Sequence, residues 1–495
     1  MYLILSALPV LAVIVAMLAG VRSLYAALLG IVMALLAMVL AFPVSSAELL
    51  HALRNWLPIL VEVLLIVGGG LLLSQALQVS GAQKALAHWL QGQSGQGVSA
   101  VLLVVHGVTP FAESLTGFGI GITIGIPLLL HGGLPVRKVA VIGLLGLCAV
   151  PWGSMGPGTL IAASMAGLSP DALGLASAMV SVIPFVITGV AAAWLASAPG
   201  QRLSAVLQGF VSGLVLTLAV TAMNALVGMA PAGALGSLMV IALYLLRGRW
   251  ARRVRIAKLQ RSSGGAMAGS AEPEADESNE QGEELGRLGR RALAAYGVLL
   301  LGVLLARFLV RWWQLPPLFN ALASPALWLL VATAFFARGL PAPAVLAQAA
   351  KSWRQVAPVT GMFIVLGVLM AVSGMAAQLA QTLAQGGSAY LLAAPFVGAL
   401  GGFVTGSNTG ANAMFAATQA EIAQVLQVGV LPFMAVHNVS ASLLLMASPG
   451  KIEMACHLAS VENLPQRRWV QVQVLLIDLL AISLMALLNV ALAWR

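Results

Sequence analysis

The stretch HGVTPFAESLTGFGIGITIGIPLLL, residues 106–130, sets Pro110, Glu113, Ser114, Thr116 and the glycines Gly117, Gly119 and Gly121 in otherwise apolar chain. Unpaired backbone groups in hydrocarbon are costly, so irregular chain at membrane depth occurs only within protein or beside a water-filled cavity. The pattern therefore predicts a helical hairpin or broken helix that turns at Gly117-Phe118-Gly119. A helix beginning near Ile120 aims its free N–H groups and positive dipole end at that opening, which makes an anion site without a cation. Glycine-mediated helix packing is the competing reading. Glu113 is the ionisable residue best suited to proton coupling. A charge at the bilayer centre costs roughly 2.5–3.5 kcal/mol, so such residues usually face a cavity and serve a function. His106, two helical turns earlier, could share the proton; a structural Glu–His pair is the alternative.

The second half of the chain repeats the device. GGFVTGSNTGANAMFAATQ, 401–419, adds Ser407, Asn408, Thr409, Gly410 and Asn412, whose hydroxyls and amides suit a carboxylate and a hydroxyl. Ser and Asn also cap broken helices with no ligand at all. Further on, Asn438 and Ser440 are expected to line the same cavity. Glu62 and Asp478 stand alone in apolar helices and are weaker candidates. Gly68-Gly69-Gly70 reads as close helix packing.

The elements that must position these residues follow from composition. Of 495 residues 60% are apolar and 8% charged, against roughly 25% charged in a soluble globular protein. Twenty-five basic and fifteen acidic side chains cannot cover a soluble surface of this size. The chain is read as an all-α polytopic membrane protein with about 11–13 transmembrane helices, each needing about 20 apolar residues. Soluble enzymes, secreted domains and nucleic-acid binders are excluded. The net charge of +10 does not argue for nucleic acid, because seven basic residues cluster between Arg247 and Arg261 directly after an apolar run. That is the mark of a cytoplasmic juxtamembrane loop near anionic headgroups. Cys148 and Cys456 lie in apolar segments and read as small core residues.

Residues 248–290, basic and then acidic, are expected to form a disordered cytoplasmic loop. It separates an N-terminal half, 1–247, with a first hairpin in 98–166, from a C-terminal half, 291–495, with a second in 390–418. The halves match in order. Gly117-Phe118-Gly119 is followed 289 residues later by Gly406-Ser407-Asn408, and Pro157-Gly158 recurs 292 residues on as Pro449-Gly450. Two interrupted hairpins in an internal, inverted repeat are the best sequence pointer to a secondary transporter's binding site.

At these residues the chain resembles the lactate permease family of bacterial 2-hydroxy-monocarboxylate transporters. The resemblance rests on Glu113 with Gly117-Phe118-Gly119, on Trp152-Gly153-Ser154-Met155-Gly156, on FVTGSNTGANAMF (403–415), and on Asn438 followed by Ser448-Pro449. It implies proton-coupled uptake of lactate, and of glycolate in some members, across the bacterial inner membrane. It also implies a wider superfamily with inverted repeats and paired hairpins, in whose members the Ser-Asn-Thr tripeptide lies at the substrate. This chain departs from the family pattern at Asn408, where Asp is usual, at Ile120-Gly121, where a Pro follows, and at Gly146, where an Asn is seen. The family lysine ahead of Ser448-Pro449 is missing, and Lys451 lies just after it. Without the family Asp, proton coupling shifts toward Glu113.

The expected function is symport of a small 2-hydroxy-monocarboxylate, lactate first, with a proton and no cofactor. Its partners are the carboxylate and the lipid bilayer; whether it forms a homodimer is left open. A sodium-coupled carboxylate carrier or an ion/proton antiporter is the alternative, since hairpin carbonyls beside Asn408 and Asn412 could coordinate sodium. A membrane enzyme using His106 and Glu113 as acid and base is disfavoured, for no Ser/His/Asp spacing, metal cluster or phosphate loop is present.

Overall fold

The computed structural model describes residues 1–93, 97–117, 119–262, 278–314 and 316–493. Among them there is no strand. The first half runs α1 (Tyr2–Leu18), α2 (Ser23–Leu40), α3 (Ser46–Val79), α4 (Ala82–Gln93), α5 (Val98–Leu103), α6 (Thr109–Thr116), α7 (Ile120–Leu130), α8 (Val136–Leu145), α9 (Pro157–Met165), α10 (Pro170–Val180) and α11 (Val182–Ala196). Two further helices follow, α12 (Arg202–Val227) and α13 (Met229–Ser262). The second half comprises α14 (Ser278–Trp312), α15 (Pro325–Phe336), α16 (Ala342–Val372), α17 (Met375–Leu383), α18 (Ser388–Thr405), α19 (Asn408–Val425), α20 (Val430–Leu443), α21 (Pro449–Leu458) and α22 (Leu464–Ala493). By length and composition, 11 helical segments among the described residues can cross a membrane, or 12 if α9 and α10, bent by 112°, form one span. The protein is a multi-pass membrane protein.

The halves exchange elements around a common axis. α15 lies on α3 as α2 lies on α16; α9 packs on α19 as α21 meets α7; α10 packs on α20 as α8 packs on α22. The equivalent helices α3 and α16 pack on each other and run antiparallel: an added Cβ at Gly361 would lie 3.8 Å from Leu60, and one at Gly68 would lie 3.1 Å from Trp353. A repeat whose equivalent helices are antiparallel is inverted. α12 and α13 take no part in these paired contacts.

Both expected breaks are present, with tighter limits. Residues 98–166 divide into two interrupted elements. The hairpin proper is α5–α6 against α7, with Gly121 packed on Thr109 and Gly125 on Val104. Behind it α8 runs into a 3-10 stretch, Gly146–Met155, that unwinds before α9. The second hairpin is α18 against α19, where Gly401 meets Ala411 and Phe415. The segment 248–290, expected to be irregular, is helical where it is described. α13 continues through its basic run to Ser262 and α14 begins at Ser278, because Arg, Ala, Leu and Lys are good helix formers. The remainder of that expectation, 263–277, lies outside the described residues.

Glycine sets how closely the hairpins approach their neighbours. A Cβ at Gly367 would collide with the Ala413 carbonyl on α19, and one at Gly402 with the Ala441 carbonyl on α20. These helices meet backbone to backbone, as small residues allow where no water drives association. Gly367→Leu should lower stability by about 1–3 kcal/mol through overpacking, read as a lower unfolding temperature of the protein in detergent by tryptophan fluorescence. An unchanged transition would show that α16 and α19 are not in close contact.

Candidate functional site

At the first tip the chain leaves α6 at Thr116 and turns through Gly117 (φ +69°) and Gly119 (φ +82°). Both positions require glycine, since the left-handed region is strained for other residues. The free end of α7 is not left open. Glu113, reaching over from α6, accepts hydrogen bonds from the Gly119 N–H at 2.9 Å and the Gly121 N–H at 3.1 Å, one on each carboxylate oxygen. A buried carboxylate thus caps α7 from the opposite arm of its own hairpin. Lys451, in the first turn of α21, arrives from the other half: a Cβ at Gly119 would stand 2.6 Å from its Nζ. One acid and one base meet at this tip.

The second tip is built from neutral groups. Gly406 (φ +61°) ends α18, and Ser407 caps α19 by accepting from the Gly410 N–H at 3.2 Å. The Thr405 hydroxyl lies 2.8 Å from the Gly401 carbonyl and 2.9 Å from that of Ser407. The amides of Asn408 and Thr409 belong to the first turn of α19 and so have no partner inside the helix. Behind them lies a buried amide network. Asn412 Nδ2 donates to Asn438 Oδ1 at 2.9 Å, to Asn408 Oδ1 at 3.1 Å and to the Gly158 carbonyl at 3.2 Å. Asn438 Nδ2 in turn lies 3.0 Å from the Thr159 hydroxyl and 3.1 Å from that of Ser177. These bonds join the second hairpin and α20 to α9 and α10 of the first half.

The two tips face one cavity of about 300 Å³, at the lower end of the roughly 300–1,000 Å³ of small-molecule sites. Glu113, Gly117 and Lys451 line one side and Thr405 to Gly410 the other, with Gly153 and Ser154 between them. The cavity extends to Ser23 and the exposed Gln355. Ser154 and Met155 both have positive φ, +43° and +64°, and the Ser154 hydroxyl is buried without a partner. The Ser448 hydroxyl, at the matching break before α21, is also unpartnered.

Several expected site residues lie elsewhere. His106 does not pair with Glu113; its Nδ1 is 2.8 Å from the Ser212 hydroxyl and its Nε2 3.4 Å from that of Thr188. The seven-residue spacing fails because Val104–Val108 is a π turn, whose extra residue rotates His106 off the face that carries Glu113. Ser440 is buried and bonded to the Val436 carbonyl at 2.7 Å, away from the cavity. Asn412 and Asn438 are fully buried and hold the wall rather than line it. Phe118 lies outside the described residues. Asp478 is buried without a partner and does not line the cavity. Among the described residues no cluster of His, Cys, Asp or Glu could hold a metal. Ser154, Thr405 and Lys451 were not selected from sequence, although Ser154 lies in the quoted Trp-Gly-Ser-Met-Gly motif. The available signal for Lys451 was a lone lysine between two apolar runs, beside a Pro-Gly break.

A model of the L-lactate permease family matches residues 2–337 and 319–492. Over 96 residues the chain is 40% identical to the L-lactate permease of Escherichia coli K12 and 35% identical to the glycolate permease GlcA of the same organism. Each of those alignments spans 19% of this chain and 17% of the relative's length. Among solved structures, the Alcanivorax borkumensis YdaH transporter is similar over 90% of this chain and 89% of that one, with a TM-score of 0.46 and 14% identity.

The amide network yields a stability prediction. Asn438→Ala removes partners from Asn408, Asn412, Thr159 and Ser177 together, and each buried polar group left unsatisfied costs about 1–3 kcal/mol. Its unfolding temperature should fall well below that of Ser440→Ala, which loses a bond to the Val436 carbonyl and a weak one to the Met485 sulfur. Equal transitions for the two variants would mean that the network does not join the halves.

Proposed function

The chain belongs to the L-lactate permease family, and we propose that it is a secondary transporter carrying a small 2-hydroxy-monocarboxylate, lactate or glycolate, with a proton across the bacterial inner membrane. The observation that supports this reading best is the unequal state of the two hairpin tips. At the first, Glu113 already occupies the α7 amides. At the second, the amides that open α19 face the cavity with no carboxylate of the protein's own. The substrate carboxylate therefore rests on the start of α19, at the amides of Asn408 and Thr409, where aligned amides favour an anion. Its hydroxyl is read by the Thr409 hydroxyl and the Asn408 amide.

Charge balance then couples proton and anion. With the cavity empty, ionised Glu113 and protonated Lys451 compensate each other. A substrate anion alone leaves the site with an excess negative charge, and a proton alone leaves an excess positive one. Each isolated charge in a low-dielectric interior is costly. When a proton neutralises Glu113 and a carboxylate enters the cavity across from Lys451, the loaded site is again neutral. Lactate and a proton together move no net charge, so the membrane potential, worth about 2.3 kcal/mol per charge per 100 mV, does not drive uptake. The pH gradient does.

Labelled lactate uptake into proteoliposomes tests both roles. Glu113→Gln should abolish accumulation driven by a pH gradient while counterflow exchange persists. Lys451→Met should raise the KM for lactate by about 30-fold or more, since losing one partner of a buried charge pair costs roughly 2 kcal/mol or more. Should Glu113→Gln still concentrate lactate, the coupling role is wrong. Should a sodium gradient drive the uptake that a pH gradient does not, the coupling ion is sodium.

A further inference from the structure

α12 and α13 enclose a second space that the transport cavity does not explain. It is a groove of about 300 Å³ walled by Leu207, Val211, Val240 and Leu243, with Gln208 and Arg247 at one end. Leu207 and Leu243 are 62% and 51% exposed, on the lipid-facing outside of the bundle. At the Arg247 end lie Trp250, 69% exposed, and Trp194, whose ring is 4.5 Å from the Arg202 guanidinium. Tryptophans in such positions mark the headgroup level. Residues 202–262 contain no Asp or Glu, while Arg247 opens a run of seven basic residues ending at Arg261. The mouth of the groove thus carries the cation Arg247 with no acid on either of its helices, and its length is mostly apolar.

We propose that this groove holds one anionic phospholipid, an acyl chain along Leu207, Val211 and Leu243 and the phosphate against Arg247 and Gln208. The charge complementarity at the mouth selects an anionic headgroup over a zwitterionic one. The floor of the groove ties the lipid to the transport machinery. Ser212, which lines it, is 2.8 Å from His106 Nδ1, and His106 sits in the π turn of the arm that carries Glu113. A bound lipid braces α12 against that arm.

Native mass spectrometry of the delipidated full-length protein, titrated with phosphatidylglycerol or phosphatidylcholine, reads the site directly and without reference to transport. One phosphatidylglycerol should be retained in preference to phosphatidylcholine. R247Q should weaken that retention about five-fold, the equivalent of the roughly 1 kcal/mol that a basic side chain contributes at an anionic surface. V211W, which fills the apolar length, should abolish it, and R253Q should leave it unchanged. Equal retention of the two lipids overturns the proposal. So does unaltered retention in R247Q and V211W, or a loss in R253Q as large as that in R247Q. If V211W instead alters the mass of an oligomer, a second copy of the chain occupies the groove and the lipid assignment falls.

Discussion

A helix that ends inside a hydrocarbon layer leaves amides that water cannot reach, and the rest of this structure depends on how those amides are satisfied. At the first tip a carboxylate from the neighbouring arm does it. Glu113 bonds both Gly119 and Gly121, so the hairpin closes on itself with a carboxyl group at the positive end of α7. Lys451 lies at the same tip. At the second tip hydroxyls and amides serve instead, and they satisfy only part of the demand. Among the described residues, no side chain bonds the first-turn amides of Asn408 and Thr409.

The two tips therefore divide the work. The charged one holds groups that can exchange a proton. The neutral one is rigidly tied, through Asn408, Asn412 and Asn438, to Gly158, Thr159 and Ser177 of the opposite half. Each neutral hydrogen bond contributes only about 0.5–1.5 kcal/mol, but breaking one strands a buried partner, so the network behaves as a unit. The inverted repeat makes this division possible. It brings two equivalent breaks to one cavity, and because the sequences have diverged, equivalent positions carry different chemistry.

Much of this was legible along the chain. Apolar runs marked the helices, and Gly, Ser and Asn clustered in their midst marked both breaks, since irregular backbone at that depth must be satisfied within protein or beside a cavity. Glu113 was identified as an acid in an apolar stretch. The residues misread were those whose partners are remote. Asn438 and Ser440 lie two apart and looked alike, yet Asn438 joins two halves while Ser440 bonds its own helix. His106 was misplaced by a single π turn, which changes the facing of a side chain without changing its spacing.

By itself the sequence determined that this chain lives in a membrane, that its polar interruptions come in a matched pair, and which residue types stand at each. Those facts follow from solvation, a property of each segment in its own surroundings. Packing alone put the Glu113 carboxylate on one helix start, while the other is capped by the Ser407 hydroxyl. It also brought Lys451, more than three hundred residues further along, to the first tip. Such contacts arise from packing between distant segments, and no local pattern of residues encodes which helix end will be occupied.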